Sequence, residues 1–203
     1  MKNSAIIPHV EMAAFNYDLP NNRIAMTPLA NRDASKLLVR KNKQIEHSSY
    51  QHLPDWLPSN SLLVFNNTRV IAARLPFKKS TGGEIEIFLL EPANGNYACL
   101  NDLEESCWKC LVGGAKKWKN DELLQASNDI HNNKLQAQLV SKKEDHYLIN
   151  FQWSSGLPFE KIIAETGKIP LPPYIKREAT EDDQHRYQTV YAAHEGSVAA
   201  PTA

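Results

Sequence analysis

Several absences narrow what this chain can be. It has no excess of either charge: 23 lysines and arginines face 23 aspartates and glutamates. A dedicated nucleic-acid domain usually carries a basic surplus, so any RNA contact must come from a local patch. Lys78-Lys79, Lys116-Lys117 with Lys119, and Lys142-Lys143 are the candidates, although short runs of like charge are more often solvated turns. Cysteine is scarce, with only Cys99, Cys107 and Cys110. An odd, sparse count is no disulfide framework and suits a reduced cytosol. Cys107-Trp108-Lys109-Cys110 is a lone CxxC. It has no second pair or added histidines at ligand spacing to complete a zinc site. Its surroundings read as strand rather than the βαβ setting of a redox motif, so both cysteines are expected to be ordinary strand residues. No apolar run approaches the ~18 residues of a membrane span. Met1 to Pro8 lacks a signal-peptide core, and a cytoplasmic protein is expected.

Familiar catalytic patterns are missing too. There is no Gly-rich phosphate loop of either common spacing, no HExxH and no GxSxG. Glu84 and Glu86 lie two apart on a candidate strand and face the same side. They could act as an acid/base pair, but the wet face of a sheet is the commoner reason for such spacing.

What remains is a globular composition. Of 203 residues, 42% are apolar and 23% charged, enough for one large domain or two small ones. Residues 1–14 show no period. Ser35 to Arg40 reads as a strand with a partner opening at Ile45, and Ser49 to Trp56 as a short helix interrupted by Pro54. Ser61 to Phe65 and Val70 to Leu75 are apolar runs that read as strands, separated by the turn-prone Asn66-Asn67-Thr68. Gly82-Gly83 marks a turn, and Glu84 to Phe88 alternates as a half-buried strand should. Trp108 to Val112 is a further strand. Lys134 to Val140 and His146 to Trp153 form a hairpin around Lys142-Lys143-Glu144-Asp145. Short strands with regular turn signals indicate a small antiparallel barrel or sandwich. The pattern then turns helical. Pro158 to Glu165 puts Phe159, Ile162 and Ile163 on one face, with Gly167 placed as a C-cap. Ile169 to Ile175 is proline-stiffened and extended. Thr180 with the acids after it opens another helix, expected to carry Tyr187 and Tyr191 on one side.

Three stretches are unusual for a purely structural protein. Asn66-Asn67-Thr68-Arg69 crowds polar groups between apolar runs, either as a self-satisfying turn or as a nucleotide or phosphate contact through Arg69. Arg74, five residues on, should face away from Arg69 on a regular strand. Pro172-Pro173-Tyr174 holds a ring on a stiff loop, for packing or for stacking on a base. Gly196-Ser197-Val198-Ala199-Ala200-Pro201-Thr202-Ala203 uses only small residues, which suit either close approach to a ligand or a tight crossing of segments.

These stretches also carry a resemblance. Leu62 to Leu75, Gly82 to Ile87, Pro170 to Ile175, Tyr187 to Tyr191 and Gly196 to Ala203 resemble, in order, the motifs of the S-adenosylmethionine:tRNA ribosyltransferase-isomerase family of queuosine synthesis. Near the start, Tyr17 to Pro20, Arg23 to Ala25 and Arg32 to Leu38 are similar to it as well. The resemblance implies transfer and isomerisation of the ribosyl group of S-adenosylmethionine to 7-aminomethyl-7-deazaguanine at the tRNA wobble position, giving epoxyqueuosine-tRNA. It implies S-adenosylmethionine as a consumed donor, tRNA as partner, no metal, no membrane and a monomer. The implied fold is α+β with two domains. Residues 1–62 and 155–203 would form an incomplete α/β barrel-like catalytic domain, and 63–154 an inserted antiparallel β-barrel. The substrate-binding candidates within matched blocks are Asn66, Asn67, Thr68, Arg69, Arg74, Tyr174, Gln188, Thr189, Ser197 and Thr202, with the catalytic base unassigned. In the family the motif ending at Ala203 runs on into Gly-Leu-His-Phe and a long further half, so a truncated chain, inactive alone, is expected. The alternatives are a non-catalytic RNA- or nucleotide-binding β-barrel module and, more remotely, an unrelated β-rich interaction protein.

Overall fold

The computed structural model describes residues 10–119, 122–128, 133–172 and 174–198. It divides into two compact units, residues 1–56 and 57–203. In the first, β1 (Lys36–Lys41) pairs antiparallel with β2 (Gln44–Ser49), as the spacing predicts. Asn42 and Lys43 both take positive φ, 51° and 67°, the left-handed pair that a two-residue hairpin turn requires. A 3-10 turn at Tyr50–His52 leads into α1 (Leu53–Trp56). Pro54 sits in the first turn of α1, where a missing N–H breaks no helical bond.

The second unit is dominated by a closed six-stranded barrel. Its strands are β4 (Arg74–Lys78), β5 (Glu84–Pro92), β6 (Glu105–Gly113), β7 (Leu124–Ala126), β8 (Gln136–Lys142) and β9 (Tyr147–Gln152). They close in the order β4-β5-β6-β9-β8-β7, every pairing antiparallel. Alternation builds the core. Ile85, Ile87 and Leu89 of β5 point inward, as do Trp108 and Cys110 of β6 and Ile149 and Phe151 of β9. Register shifts at Leu89/Glu91 and Leu139/Ser141 supply the extra bend that closure needs. The CxxC is explained by the same alternation. Three residues apart on β6, Cys107 and Cys110 face opposite sides, so they cannot share a metal or a disulfide. Burial pushes the Cys110 thiol well above its usual range, leaving it inert.

The mouth of the barrel is plugged by α2 (Phe159–Thr166). Phe159, Ile162 and Ile163 are all buried, on the face the sequence assigns them. The Phe159 ring meets Trp153, Phe151 and Trp108 at centroid distances of 5.0, 5.5 and 5.8 Å. α3 (Glu181–Arg186) follows, then β10 (His194–Ser197). β10 returns to pair in parallel with β3 (Thr68–Val70), across more than a hundred residues that include the whole barrel.

Three sequence expectations need correction. Ser61 to Phe65 is not a strand among the described residues: it lies in irregular, solvent-exposed backbone, with Leu62 89% and Val64 85% exposed. Apolarity alone signals burial, not a pairing partner, and no described strand pairs with this run. Val70 to Leu75 is not one strand. The ladder breaks at residues 71–73, where Ala73 N–H bonds back to Ile71 O, and the two ends serve different sheets. α3 stops at Arg186, so Tyr187 and Tyr191 do not share a helical face. Tyr187 caps the helix, while the Tyr191 ring packs on Phe65 at 4.8 Å.

Candidate functional site

The Asn66–Arg69 block begins as a turn that satisfies itself. Asn66 Oδ1 accepts from the Thr68 N–H at 3.0 Å and from the Thr68 hydroxyl at 2.8 Å. This Asx turn aims the chain into β3. One edge of β3 is held by β10. Asn67 O accepts from the Ala193 and His194 N–H groups, and the Ile71 N–H donates to Ser197 O at 2.8 Å. The other edge is held by a side chain. The Val70 N–H donates to Gln188 Oε1 at 2.8 Å, while Gln188 Nε2 donates to Val70 O at 2.7 Å. The Gln188 amide thus supplies both bonds that a neighbouring strand would make, and fixes the backbone next to Arg69.

In β10, Gly196 has φ +142°, a backbone conformation that residues with a Cβ rarely adopt, and this accounts for glycine there; a Cβ would meet the Tyr97 ring only at an ordinary contact distance of 3.4 Å.

α3 is anchored at its start by a reciprocal cap. Asp183 accepts from the Thr180 N–H at 2.7 Å and from the Thr180 hydroxyl at 3.0 Å. It also accepts Arg177 Nη1 at 2.6 Å and Nη2 at 2.8 Å. The Arg177 hydrogen bonds, aided by those from Thr180, hold the Asp183 carboxyl far below the usual carboxylate range despite burial. A carboxyl depressed in the fold stabilises it above the unfolded value of about 3.9 and loses that contribution as pH falls through the folded value. We expect thermal stability to drop as pH falls below about 4, and Asp183→Asn to show a shallower drop over that range. Identical acid limbs in melting curves would show that the pair contributes nothing.

α2, α3, β3 and the segment after α3 enclose a cleft of about 520 Å³. Its polar side includes Arg69, Lys161, Glu160, His185, Gln188 and Thr189. Apolar surface comes from β3 and its continuation, from α2, and from Val190 and Ala192. Among the described lining residues, Arg69 and Lys161 carry cations and Glu160 a carboxylate. Thr189 Oγ1 is buried and has no hydrogen-bond partner among the described residues. An orphan buried hydroxyl costs about 1–3 kcal/mol, and such groups need an explanation beyond the fold. Among the described residues, no cluster of His, Cys, Asp or Glu is grouped to hold a metal.

Of the ten candidates, the cleft gathers Arg69, Gln188 and Thr189. Asn66 and Thr68 are engaged in their own turn. Asn67 and Ser197 hold the β3–β10 ladder through their backbones. Arg74 lies on the outer face of the barrel, where Nη2 reaches both carboxylate oxygens of Glu86 at 2.8 and 3.0 Å. Arg69 and Arg74 thus serve different surfaces. Tyr174 is exposed on a turn outside the cleft, and Thr202 lies outside the described residues. Sequence reasoning missed Glu160, Lys161 and His185. The first two could have been found as the outward face of the helix whose inward face is Phe159, Ile162 and Ile163.

Comparison with known proteins gives a consistent result. The sequence pattern of a family described as queuosine biosynthesis protein matches residues 12–203. Among curated relatives named S-adenosylmethionine:tRNA ribosyltransferase-isomerase, that of Syntrophotalea carbinolica is 39% identical over 196 residues, covering 96% of this chain and 53% of the relative. The Thermotoga maritima protein is 41% identical over 197 residues, covering 96% and 52%. A crystal structure of S-adenosylmethionine tRNA ribosyltransferase from Thermotoga maritima is 30% identical, with 90% of this chain and 56% of that one covered, at a TM-score of 0.32. The chain spans about half the length of the curated relatives it matches. Among the described residues, no helix is long and apolar enough to cross a membrane.

Proposed function

The chain belongs to the family of queuosine biosynthesis proteins, and from that premise we propose that it serves ribosyl transfer from S-adenosylmethionine to tRNA. The acceptor is the amine of 7-aminomethyl-7-deazaguanine at the wobble position, and the product is epoxyqueuosine-tRNA. S-adenosylmethionine is consumed as the ribosyl donor, with loss of adenine and methionine. The chemistry asks for a base to take a proton beside the sulfonium, for stabilisation of departing adenine, and for a neutral acceptor amine. It asks for no metal. We place the work in the cytoplasm, by a monomer.

The observation that carries this reading is the gathering of Arg69, Gln188 and Thr189, from two separate family-like blocks, on one cleft. The roles we assign follow from their contacts. Gln188 positions β3 through Val70, Arg69 presents a permanent cation to substrate, and Thr189 offers an unpaired hydroxyl. The parallel pairing of β3 with β10 supports the proposed domain plan. A parallel pair implies a crossover, and isolated two-stranded parallel sheets are rare because both faces need cover. Here the crossover contains the barrel. We therefore propose that β3 and β10 begin a larger α/β domain with the barrel inserted between them, which moves the start of the insert from residue 63 to beyond Val70. The test is release of adenine from S-adenosylmethionine by a chain of the relatives' full length. Release should require tRNA carrying the deazaguanine, and none with that RNA present would sink the reading.

A further inference from the structure

Resting on the reading that RNA is the substrate, we propose that the lysine-rich end of the barrel, opposite the end plugged by α2, grips RNA phosphodiesters away from the reacting nucleotide. The six strands alternate in direction around the closed barrel. The β4–β5, β6–β7 and β8–β9 connections therefore share one end, while the β5–β6 connection and the chain leaving β9 for α2 share the other. Three lysine runs far apart in sequence thus meet: Lys78 at the end of β4, Lys116, Lys117 and Lys119 after β6, and Lys142 with Lys143 at the β8–β9 turn. All six are exposed, and among the described residues none is held in an ion pair. The charge is a property of this end and not of barrel connections in general. Residues 93–104, joining β5 to β6 at the other end, hold Asp102 and Glu104 and no lysine or arginine.

Acids at the lysine end do not cancel it. Lys79 is paired with Glu122 at 3.2 Å, both largely buried. The six exposed lysines then face Glu84, Glu144, Asp145 and Asp121, the last lying outside the described residues. A net positive end on a chain of zero total charge attracts a polyanion and is relieved by one. The platform is also rigid, as a merely solvated turn need not be. Trp118, between Lys117 and Lys119, is buried in the barrel core, and its Nε1 donates to Glu122 O at 2.8 Å. Lys79 Nζ donates to Lys117 O, so it serves as a brace and not as a contact. The nine residues of β6 span the barrel, about 20 Å along its axis at ~3.4 Å per residue and a tilt near ~40°. A tRNA is several times longer, so one molecule can meet the α2 end and the lysine end together.

The test is fluorescence anisotropy of a labelled tRNA transcript with this chain, across a salt series. Lys116→Gln, Lys119→Gln and Lys143→Gln combined should weaken binding about tenfold or more at low salt. The slope of log affinity against log salt should become shallower by about 2, at ~0.7–0.9 for each lost phosphate contact. The melting temperature should hold within about 2 °C, because no ion pair is lost. Glu144→Gln should tighten binding, an effect no structural role predicts. Lys36→Gln, Lys41→Gln and Lys176→Gln combined remove the same charge from exposed positions outside the barrel, and should alter the slope by less than about one contact. An unchanged slope in the first triple variant, equal losses in both, or no tRNA binding by the chain would each overturn the proposal. So would binding to phosphatidylserine vesicles without binding to tRNA. The two readings fail separately. RNA binding with these slopes but no adenine release in the full-length protein removes ribosyl transfer alone. Adenine release with RNA affinity untouched by the first triple variant removes this inference alone.

Discussion

Gly167→Ala should destabilise the protein by about 3 kcal/mol or more, at the upper end of what overpacking costs. For a chain of this size that lowers the melting temperature by roughly 6–12 °C. The reason is a crossing of two backbones. After α2 the chain passes directly over the segment between β3 and β4, and Lys168 exchanges backbone hydrogen bonds with Arg74 at 2.8 and 3.2 Å. A Cβ at position 167 would lie 2.0 Å from Ala72 O and 2.7 Å from Ile163 O. Carbon–oxygen contacts close only to about 3.3 Å. Both obstacles are main-chain atoms, so no side chain can step aside. Relief requires the end of α2 to move away from Ile71 and Ala72, which are walls of the cleft. The variant should therefore distort the cleft along with losing stability. Gly113→Ala is the control. Its Cβ would meet Glu86 Cβ and O at 3.6 Å, ordinary contact, and we expect a change within about 0.5 kcal/mol. If the two variants melt alike, the crossing is not the reason for glycine at 167.

Phe159→Ala should cost about 3–5 kcal/mol, the range for deleting a fully buried aromatic ring. Phe159 is 0% exposed and stacks on Trp153 at an interplanar angle of 25°. Its N–H donates to Asp102 O at 2.9 Å, so it also fixes the start of α2. Truncation leaves a cavity among Trp108, Phe151 and Trp153, ringed by strands whose hydrogen bonds resist collapse. Urea denaturation reads the loss, and Phe159→Leu should retain most of the stability. A loss below about 1 kcal/mol would mean that the helix rests on the barrel without plugging it. Because Glu160 and Lys161 ride on the same turn, the variant also tests whether the cleft depends on the plug.

The barrel was legible because its strands obey a period of two. Glu84 to Phe88 and the hairpin about Lys142 to Asp145 were read from alternation and turn residues, and both stand. So does α2, whose inward face shows in the spacing of Phe159, Ile162 and Ile163. β7 and β10 were missed for a physical reason. A three-residue strand shows no period, and β10 is built from a polar start and small residues whose pairing with β3 depends on a contact across the whole barrel. The run at Leu62 to Phe65 misled because its apolarity was read as pairing. Gly167 was rightly placed at the end of α2, but for the wrong cause. It is extended, at φ −88° and ψ 172°, and is glycine for the crossing rather than for a left-handed cap.

The candidate site was legible only in part. Asn66 to Arg69 stands out as a polar block, yet no local pattern tells that Asn66 and Thr68 close on each other while Arg69 alone turns to the cleft. Gln188 could be suspected of a specific contact, but that its partner is the backbone of Val70, 118 positions away, is a property of the fold. Lys161 gave no motif at all. It became visible once α2 had a buried face and therefore an outer one.

The measurement that bears most directly on the ribosyl-transfer reading is adenine release from S-adenosylmethionine with deazaguanine-bearing tRNA. It should compare the full-length protein with its Arg69→Ala variant, and both should be melted in parallel. We expect release that depends on the RNA and a kcat/KM for RNA that falls by about tenfold or more in the variant, the loss of at least 1.4 kcal/mol of substrate interaction. The melting temperature should fall by no more than about 2 °C, as loss of one exposed side chain allows. No release by the parent protein, or a variant that melts earlier while kcat/KM is intact, would contradict a substrate cleft at Arg69.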